Sequence, residues 1–463
     1  MLNDRQASEI AEQTVVIAEL KARLADLEQR LGRTPRNSSM PPSAEGLSKP
    51  PAANRAERRA AKRRPGKQPG SEGKHLAQVA DPDEVVTHLP GACTGCGAGL
   101  ENAEVISTER RQVFDVPDIC VRVVEHVAER RRCRCGCETK ASFPAEATAP
   151  AAYGHGVRAL TSYLAVHQHL PYGRMAELFS DLLGIEISVG ALAQMVAEAG
   201  ELTEPFTDEV RYLLRRADAV HFDETGGRVA GKLHWVHSAS TSLLTLLDCH
   251  QRRGRAAMDD LGVIDHMAGI AHHDGWQSYR AYDVVHSLCN AHHLRELDEI
   301  SWISHQFWAG DMAAFLCDTK DTVETTKATG ATSLSAGALH SIRVRYGLII
   351  AAGRLTNPGP LSHKRHGYEK KAYNLLVRLD NQRADVLRFA SDFHASFDNN
   401  QAERDIRMVK LQQKISGSWR TLAGARAYCA IRSYVSTLRK QNQDILGGLR
   451  LLFEGQPWLP APT

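Results

Sequence analysis

Two aspartates and a glutamate stand in contexts that suit phosphodiester chemistry. In ADAVHFDETGG, Asp223 ends a short apolar run ahead of a glycine turn, and in GIAHHDGWQSY, Asp274 sits at a second strand end before Gly275. In SFDNNQAERDIRMVKLQQKISGSWRT, Asp398 or Asn399 can cap a helix that carries Glu403 in its first turn. A hard cation such as Mg²⁺ takes oxygen ligands and keeps water positions open, which favours carboxylates over a Cys/His cage. Two such ions about 4 Å apart can activate a water or 3′-hydroxyl and stabilise the leaving oxygen. Arg404, Arg407 and Lys414 place positive charge on neighbouring faces of the Glu403 helix, ready for backbone phosphates. Three acids by themselves are weak grounds, because any chain of 463 residues contains many.

Competing residues are separated by geometry. Glu224 follows Asp223, and alternation along a strand forbids both from pointing inward. Asp405 lies about 200° around the helix from Glu403 and faces elsewhere. Asp248 and Asp283 lack a strand-end glycine, and His272 and His273 suit strand packing or phosphate contact better than a transition metal. Cys289 and His292 could bind zinc with a distant partner. Cys249, Cys317 and Cys429 read as small buried residues.

A second chemistry lies upstream. Cys93-Thr-Gly-Cys96-Gly97 and Cys133-Arg-Cys135-Gly136-Cys137 are short knuckles flanking VFDVPDICVRVVEHVAERRR, whose apolar residues alternate as in strands. Paired knuckles across a β-rich stretch suit tetrahedral zinc. The second offers three thiols for two places, so Cys133 and Cys135 are assigned beside Cys93 and Cys96, with Cys137 the substitute. Cys120 has no near partner and reads as buried in a strand.

The elements that must position these groups follow from pattern. Ile10, Ile17, Leu24 and Leu31 recur every seven residues, with Leu20 and Leu27 at d positions, which gives a coiled coil over 1–33 ended by Gly32 and Pro35. Residues 34–80 form a Pro/Ser/Gly-rich basic linker holding Arg55, Arg58, Arg59, Lys62, Arg63, Arg64 and Lys67. Arg58, Arg59, Arg63 and Arg64 are assigned to phosphate contact. The zinc-binding region covers 81–150. A helical region over 151–216, with a break at Gly184 and Ser188 as N-cap, suits groove binding or plain helical packing. From 217 to 300, three strands, a helix and further strand–helix units describe the first part of an RNase H-like core. Residues 301–385 read as helices, 386–440 as the second part of that core, and 441–463 as a tail. The fold class is multidomain α/β.

Composition narrows the function classes. The length exceeds what one core of roughly 250–300 residues fills, so several domains are expected. Lys+Arg 57 against Asp+Glu 54 gives a net charge of only +3, so any nucleic-acid contact must come from local basic runs. Ten cysteines in such a length exclude a disulfide scaffold. No apolar run approaches the roughly 18 residues of a membrane helix. Asp4, Arg5, Glu9 and Glu12 stand where a signal peptide is apolar, so export is not expected and a cytoplasmic protein is.

Taken in order, these motifs carry a resemblance. The N-terminal zipper, NSSMPPS, GKQPGSEG, DPDEVV with the Cys-x-x-Cys finger, FDET, HDGWQSY, Cys289-Asn-Ala-His292, DNNQAERDIRMVK and KISGSW run along nearly the whole chain. The chain resembles the large transposases of the insertion-sequence-66 family of bacterial mobile elements. The resemblance implies an RNase H-like recombinase whose acidic triad is Asp223, Asp274 and Glu403, with Mg²⁺ (or Mn²⁺) at the triad and Zn²⁺ in the finger. It implies DNA partners, the element's terminal repeats and target DNA, with self-assembly into a homo-oligomer and accessory proteins of the element as further candidates. It treats Cys289 and His292 as a recurring pair after the second aspartate, read here as structural support beside the site. The separation of 129 positions from Asp274 to Glu403 (403 minus 274) implies a helical insertion. Two other readings are a non-catalytic DNA-binding regulator and an RNase H-like nuclease without strand transfer. The first would want a degraded triad, and the second leaves zipper, finger and insertion without a role.

The basic arm is directly testable. Deleting residues 1–75 should lower DNA affinity and make the slope of log affinity against log salt shallower, since fewer counterions are released. An unchanged slope would show that the arm touches no phosphate.

Overall fold

The computed structural model describes residues 76–116, 119–147, 149–359 and 367–461. The expected coiled coil and the basic cluster Arg58, Arg59, Arg63 and Arg64 lie outside them. The chain divides into two compact units with the boundary between Arg122 and Val123.

In the smaller unit, Gln78 and Gln112 cross-link two extended segments. Gln112 Oε1 accepts from Val79 N and its Nε2 donates to Val79 O, both at 2.8 Å. The only bridge described there joins Ala92 to Gly99 around the first knuckle. The larger unit begins with a two-stranded hairpin, β1 (Arg130–Arg132) and β2 (Glu138–Lys140), around the second knuckle. Alternation predicted strands between the knuckles, yet among the described residues there only β1 forms a ladder. Val113, Val116, Val123 and Val127 remain exposed, because a strand's apolar face persists only against a second layer. Cys120, expected in a strand interior, is likewise exposed.

Four helices follow: α1 (His155–Ser162), running into a π-helical turn at Tyr163–His167, α2 (Tyr172–Leu183), α3 (Val189–Leu202) and α4 (Glu204–Arg216). Gly184 ends α2 in the left-handed region at φ 62°, and the Ser188 hydroxyl accepts from Ala191 N to start α3. Met175, Phe179, Ile187 and Leu192 close a small core between α2 and α3.

The central sheet has strand order β5-β4-β3-β6-β7. A meander of β3 (Ala219–Val229), β4 (Lys232–Ser240) and β5 (Thr245–His250) is antiparallel throughout. After α5 (Arg255–Leu261) the chain returns as β6 (Ile270–His273), parallel to β3, and then as β7 (Val285–Leu288), parallel to β6. The expected glycine turn after Asp223 does not form; β3 runs on to Val229, and the turn falls at Ala230 and Gly231. Gly226 and Gly227 serve close approach instead. A Cβ on Gly227 would lie 2.8 Å from Gln413 Nε2 and 2.9 Å from the Trp419 ring.

Helices α6 (Asn290–Ser304), α7 (Phe307–Ala328), α8 (Ala336–Thr356), α9 (Gly367–Asn381), α10 (Arg383–Val386) and α11 (Arg388–Ser391) build their own apolar core. Trp308, Met312, Phe315, Tyr346 and Leu376 fill it, and Ile270 and Leu288 join it to the sheet. Cys317, expected to be buried, is exposed on α7. The chain then re-enters the sheet layer through α12 (Asn400–Ser416), lying across β3 and β4, and α13 (Leu422–Lys440), lying along β5. The outer edge of β5 is covered by α13: Ser433 Oγ accepts from Leu247 N at 2.8 Å and Thr437 Oγ from Thr245 N at 3.1 Å. Two hydroxyls four residues apart thereby satisfy an edge that would otherwise invite another strand. The expected tail contains α14 (Ile445–Phe453), whose Leu449 and Leu452 are fully buried.

The parallel pairing of β3 and β6 depends on one glycine. A Cβ on Gly269 would meet Ala217 O at 2.1 Å and Asp218 O at 2.7 Å, backbone atoms that cannot move aside. Ile270 N then donates to Asp218 O at 2.8 Å and starts the ladder. Gly269→Ala should destabilise the protein by about 3 kcal/mol, the upper end for overpacking. An unchanged melting midpoint in denaturant would refute that constraint.

Candidate active site

The β3–β6 ladder pairs Ala219 with Ile270, Val220 with Ala271 and His221 with His272, an offset of 51 positions (272 minus 221). Asp223 and Asp274 are separated by the same 51 (274 minus 223), so they fall level, two residues beyond the last rung. Side chains level on neighbouring parallel strands share a face. Gly275, at φ 90°, turns the chain away immediately after Asp274, whose Oδ1 accepts from Trp276 N at 2.8 Å. Burial, followed by the charges of Glu224, Asp274 and also Glu403, pushes the Asp223 carboxyl well above the usual range. Among the described residues, none of Asp223, Asp274 and Glu403 has an ion-pair partner. All three side chains are carboxylates, the oxygen ligands that Mg²⁺-class ions take, but their oxygens do not gather within 4.8 Å of one another as those of Cys289, His292 and Glu403 do.

Glu224 obeys the alternation, turning toward Phe222 and Tyr279 on the other side of β3, but it is not remote from the site. Its side chain is 2% exposed; Oε1 accepts from Arg253 Nε at 2.9 Å and Oε2 from the Tyr279 hydroxyl at 2.8 Å. Burial and then the Asp274 charge raise its carboxyl, while Arg253 opposes both. The Arg253 guanidinium lies 4.1 Å from the Trp276 ring centre and 4.7 Å from that of Trp235. Sequence reasoning missed this assembly, since no spacing rule joins residues 224, 235, 253, 276 and 279.

His272 and His273, the last two residues of β6, are fully buried and pack inside the fold, the first of the two roles open to them. Gly275 N donates to His273 Nδ1 at 3.0 Å, so His273 Nε2 carries the hydrogen and donates to His286 Nδ1 at 3.0 Å. Burial holds the His272 and His273 rings neutral.

Glu403 is delivered by a buried amide. Asn399 is the N-cap of α12, but its side chain makes no cap bond; Asp398 Oδ1 accepts from Asn400 N instead. Asn399 Nδ2 donates to Phe222 O at 2.7 Å, the carbonyl immediately before Asp223. Its Oδ1 accepts from His221 Nδ1 at 2.9 Å, and its backbone N–H points at Cys289 Sγ at 3.1 Å. Cys289 follows β7 and precedes α6, and burial pushes its thiol up to about 12. Cys289 Sγ, a ring nitrogen of His292 and a carboxylate oxygen of Glu403 all lie within 4.8 Å of one another. Asp405 faces away, paired with Lys440 at 2.7 Å, while Arg404 and Arg407 are exposed on α12.

Each knuckle of the expected finger is a turn closed on its own cysteine. Gly97 N donates to Cys93 O, and Gly136 N to Cys133 O, both at 2.9 Å, with both glycines at positive φ. Backbone N–H groups, chiefly those of Cys96 and of Cys135, lower the Cys93 and Cys133 thiols. Cys93 and Cys96 belong to the smaller unit, Cys133 and Cys135 to the larger.

Comparison with known proteins adds two family matches. The family described as Transposase IS66 family matches residues 151–427, and a family of unknown function (DUF6444) matches residues 3–77. No curated protein matches the chain. No helix among the described residues is long and apolar enough to cross a membrane.

Asn399→Ala should cost about 2–6 kcal/mol, because Phe222 O and His221 Nδ1 lose buried partners at roughly 1–3 kcal/mol each. Equilibrium unfolding with an unchanged midpoint would remove Asn399 from this role.

Proposed function

This chain belongs to the Transposase IS66 family, and on that premise we propose that it binds the ends of its mobile element and cuts and joins DNA strands at Asp223, Asp274 and Glu403. The observation that carries the proposal is the level placement of two unpaired aspartates on neighbouring parallel strands, with the Glu403 charge felt at Asp223. An RNase H-like core is supported by the strand order, a three-stranded antiparallel meander followed by two strands parallel to its first. The helices from α7 to α10 fit an insertion between the second and third acids.

In this reading Asp223, Asp274 and Glu403 hold divalent cations of the Mg²⁺ or Mn²⁺ class. When bound, such a pair supplies an activated water or 3′-hydroxyl and a stabilised leaving oxygen. Arg404 and Arg407, exposed beside Glu403 on α12, receive backbone phosphates and hold the scissile strand against the carboxylates. Arg253 keeps the Glu224 charge bonded and away from the ligand set. Helices α1–α4 and the finger, with Cys93, Cys96, Cys133 and Cys135 on zinc, serve end recognition, and the basic arm adds phosphate contact.

Asp223→Asn, Asp274→Asn and Glu403→Gln should each abolish Mg²⁺-dependent cleavage of element-end DNA while leaving end binding largely intact. Asp405→Asn should lose far less. Near-normal cleavage by Glu403→Gln would sink the assignment of the third acid. The same aspartate generates a pH signature. Its folded-state carboxyl is raised, so in EDTA its contribution to stability is complete below the ordinary Asp value and is lost as pH rises through the folded value. Asp223→Asn should flatten that decline and raise the melting temperature near neutral pH. A variant that melts lower than the parent at neutral pH in EDTA contradicts the electrostatic account.

A further inference from the structure

We infer that Cys289, His292 and Glu403 form a binding site for a zinc-class divalent cation, distinct in its chemistry from the all-carboxylate ligand set of the aspartates. Three observations carry it. The donors are a thiol sulfur, an imidazole nitrogen and a carboxylate oxygen, all within 4.8 Å of one another; Cys289 immediately precedes α6, His292 lies in its first turn, and Glu403 on α12 is more than a hundred positions further along the chain. Zinc bonds of about 2.0–2.3 Å place tetrahedral ligand atoms roughly 3.5 Å apart, so closing on a cation needs shifts of about an ångström or less. His292 Nδ1 is buried with no hydrogen-bond partner, a costly state that a histidine bound through one nitrogen and wetted or bonded at the other would not show. The Asn399 N–H directed at Cys289 Sγ is the bond that stabilises negative charge on a metal-bound sulfur.

The donor set decides the ion. Thiolate and imidazole select zinc-class cations over Mg²⁺, whose ligands are oxygens. Three protein ligands leave the fourth tetrahedral position open to solvent or to an oxygen of the bound DNA. Glu403 has two carboxylate oxygens, so it can engage this cation with one and face Asp223 with the other. The site stands on these three side chains alone; only its consequence, that the cation fixes where Glu403 is presented, rests on the strand-cutting reading above. Binding displaces the Cys289 proton, so occupancy rises with pH.

The test uses the full-length protein, purified with zinc, dialysed against Mg²⁺ buffer and assayed for metal content. His292→Ala, a half-buried position, should lower zinc by about one equivalent per chain with the circular dichroism unchanged, and Cys289→Ser should do the same. The Cys96→Ser, Cys135→Ser double variant should keep the equivalent that His292→Ala loses. Replacing zinc by Co²⁺ in that double variant should give a near-ultraviolet thiolate charge-transfer band, absent after Cys289→Ser. Unchanged zinc content in folded His292→Ala, or a double variant without zinc and without that band, overturns the site. Asp223→Asn separates the two readings: zinc retained with cleavage lost supports both, and zinc retained with cleavage retained removes the strand-cutting assignment while leaving the site.

Discussion

The buried side chain of Asn399 is the joint on which the candidate site depends. Its amide donates to the carbonyl before Asp223 and accepts from His221, and its backbone N–H meets the sulfur of Cys289. A buried amide left unpaired is expensive, so these bonds are effectively obligatory once the segment is enclosed. Glu403 lies four residues further, one helical turn along α12. One residue therefore sets the third acid against the strand that carries the first. It also fixes α12 against the β7–α6 corner, where Cys289 and His292 stand.

The long interval between Asp274 and Glu403 makes such a joint necessary. The helices from α6 to α11 close their own apolar core and could drift relative to the sheet if only Ile270 and Leu288 bridged the two. Polar bonds restrain that freedom. Arg388 Nε donates to His286 O on β7 at 3.3 Å, Arg280 pairs with Asp385 at 2.6 Å, and Asn290 N, directly after the β7 corner, donates to Phe397 O at 3.0 Å. On the far side, Lys440 binds Asp405 and the carbonyls of Thr241 and Leu244, tying α13 and α12 to the β4–β5 turn. The chain that leaves the sheet after β7 is thus brought back to a defined place.

Electrostatics then divides the acids into two kinds. Glu224 has its charge paired with Arg253 and its second oxygen bonded by the Tyr279 hydroxyl, which anchors it in place. Among the described residues, Asp223, Asp274 and Glu403 have no such cationic partner, and the charges of Asp274 and Glu403 disfavour a charged Asp223 until a cation arrives. Uncompensated charge of this kind is more often retained for function than for stability.

The amino-acid sequence alone determined what local chemistry fixes. The apolar runs marked β3 to β7, Gly184 and Ser188 set the α2–α3 break, and a strand end singled out Asp274, whereas Asp223 lies within β3 rather than at its end. Their common separation of 51 positions even matches the ladder offset, although that offset becomes visible only when β6 lies beside β3. Tertiary structure decided the rest. Alternating valines between the knuckles do not become strands, because an apolar face needs an opposing layer. Gly226 and Gly227 look like a turn, yet they lie within β3, and Gly227 is the landing place for Gln413 and Trp419. Asn399 looks like a helix cap and bonds instead to β3. Glu224, Arg253 and Tyr279, and likewise Cys289, His292 and Glu403, meet only because separate elements dock. Hydrophobic period and capping are short-range and leave their mark on neighbouring residues. Close approach, burial and shared charge are long-range, and no local pattern encodes them.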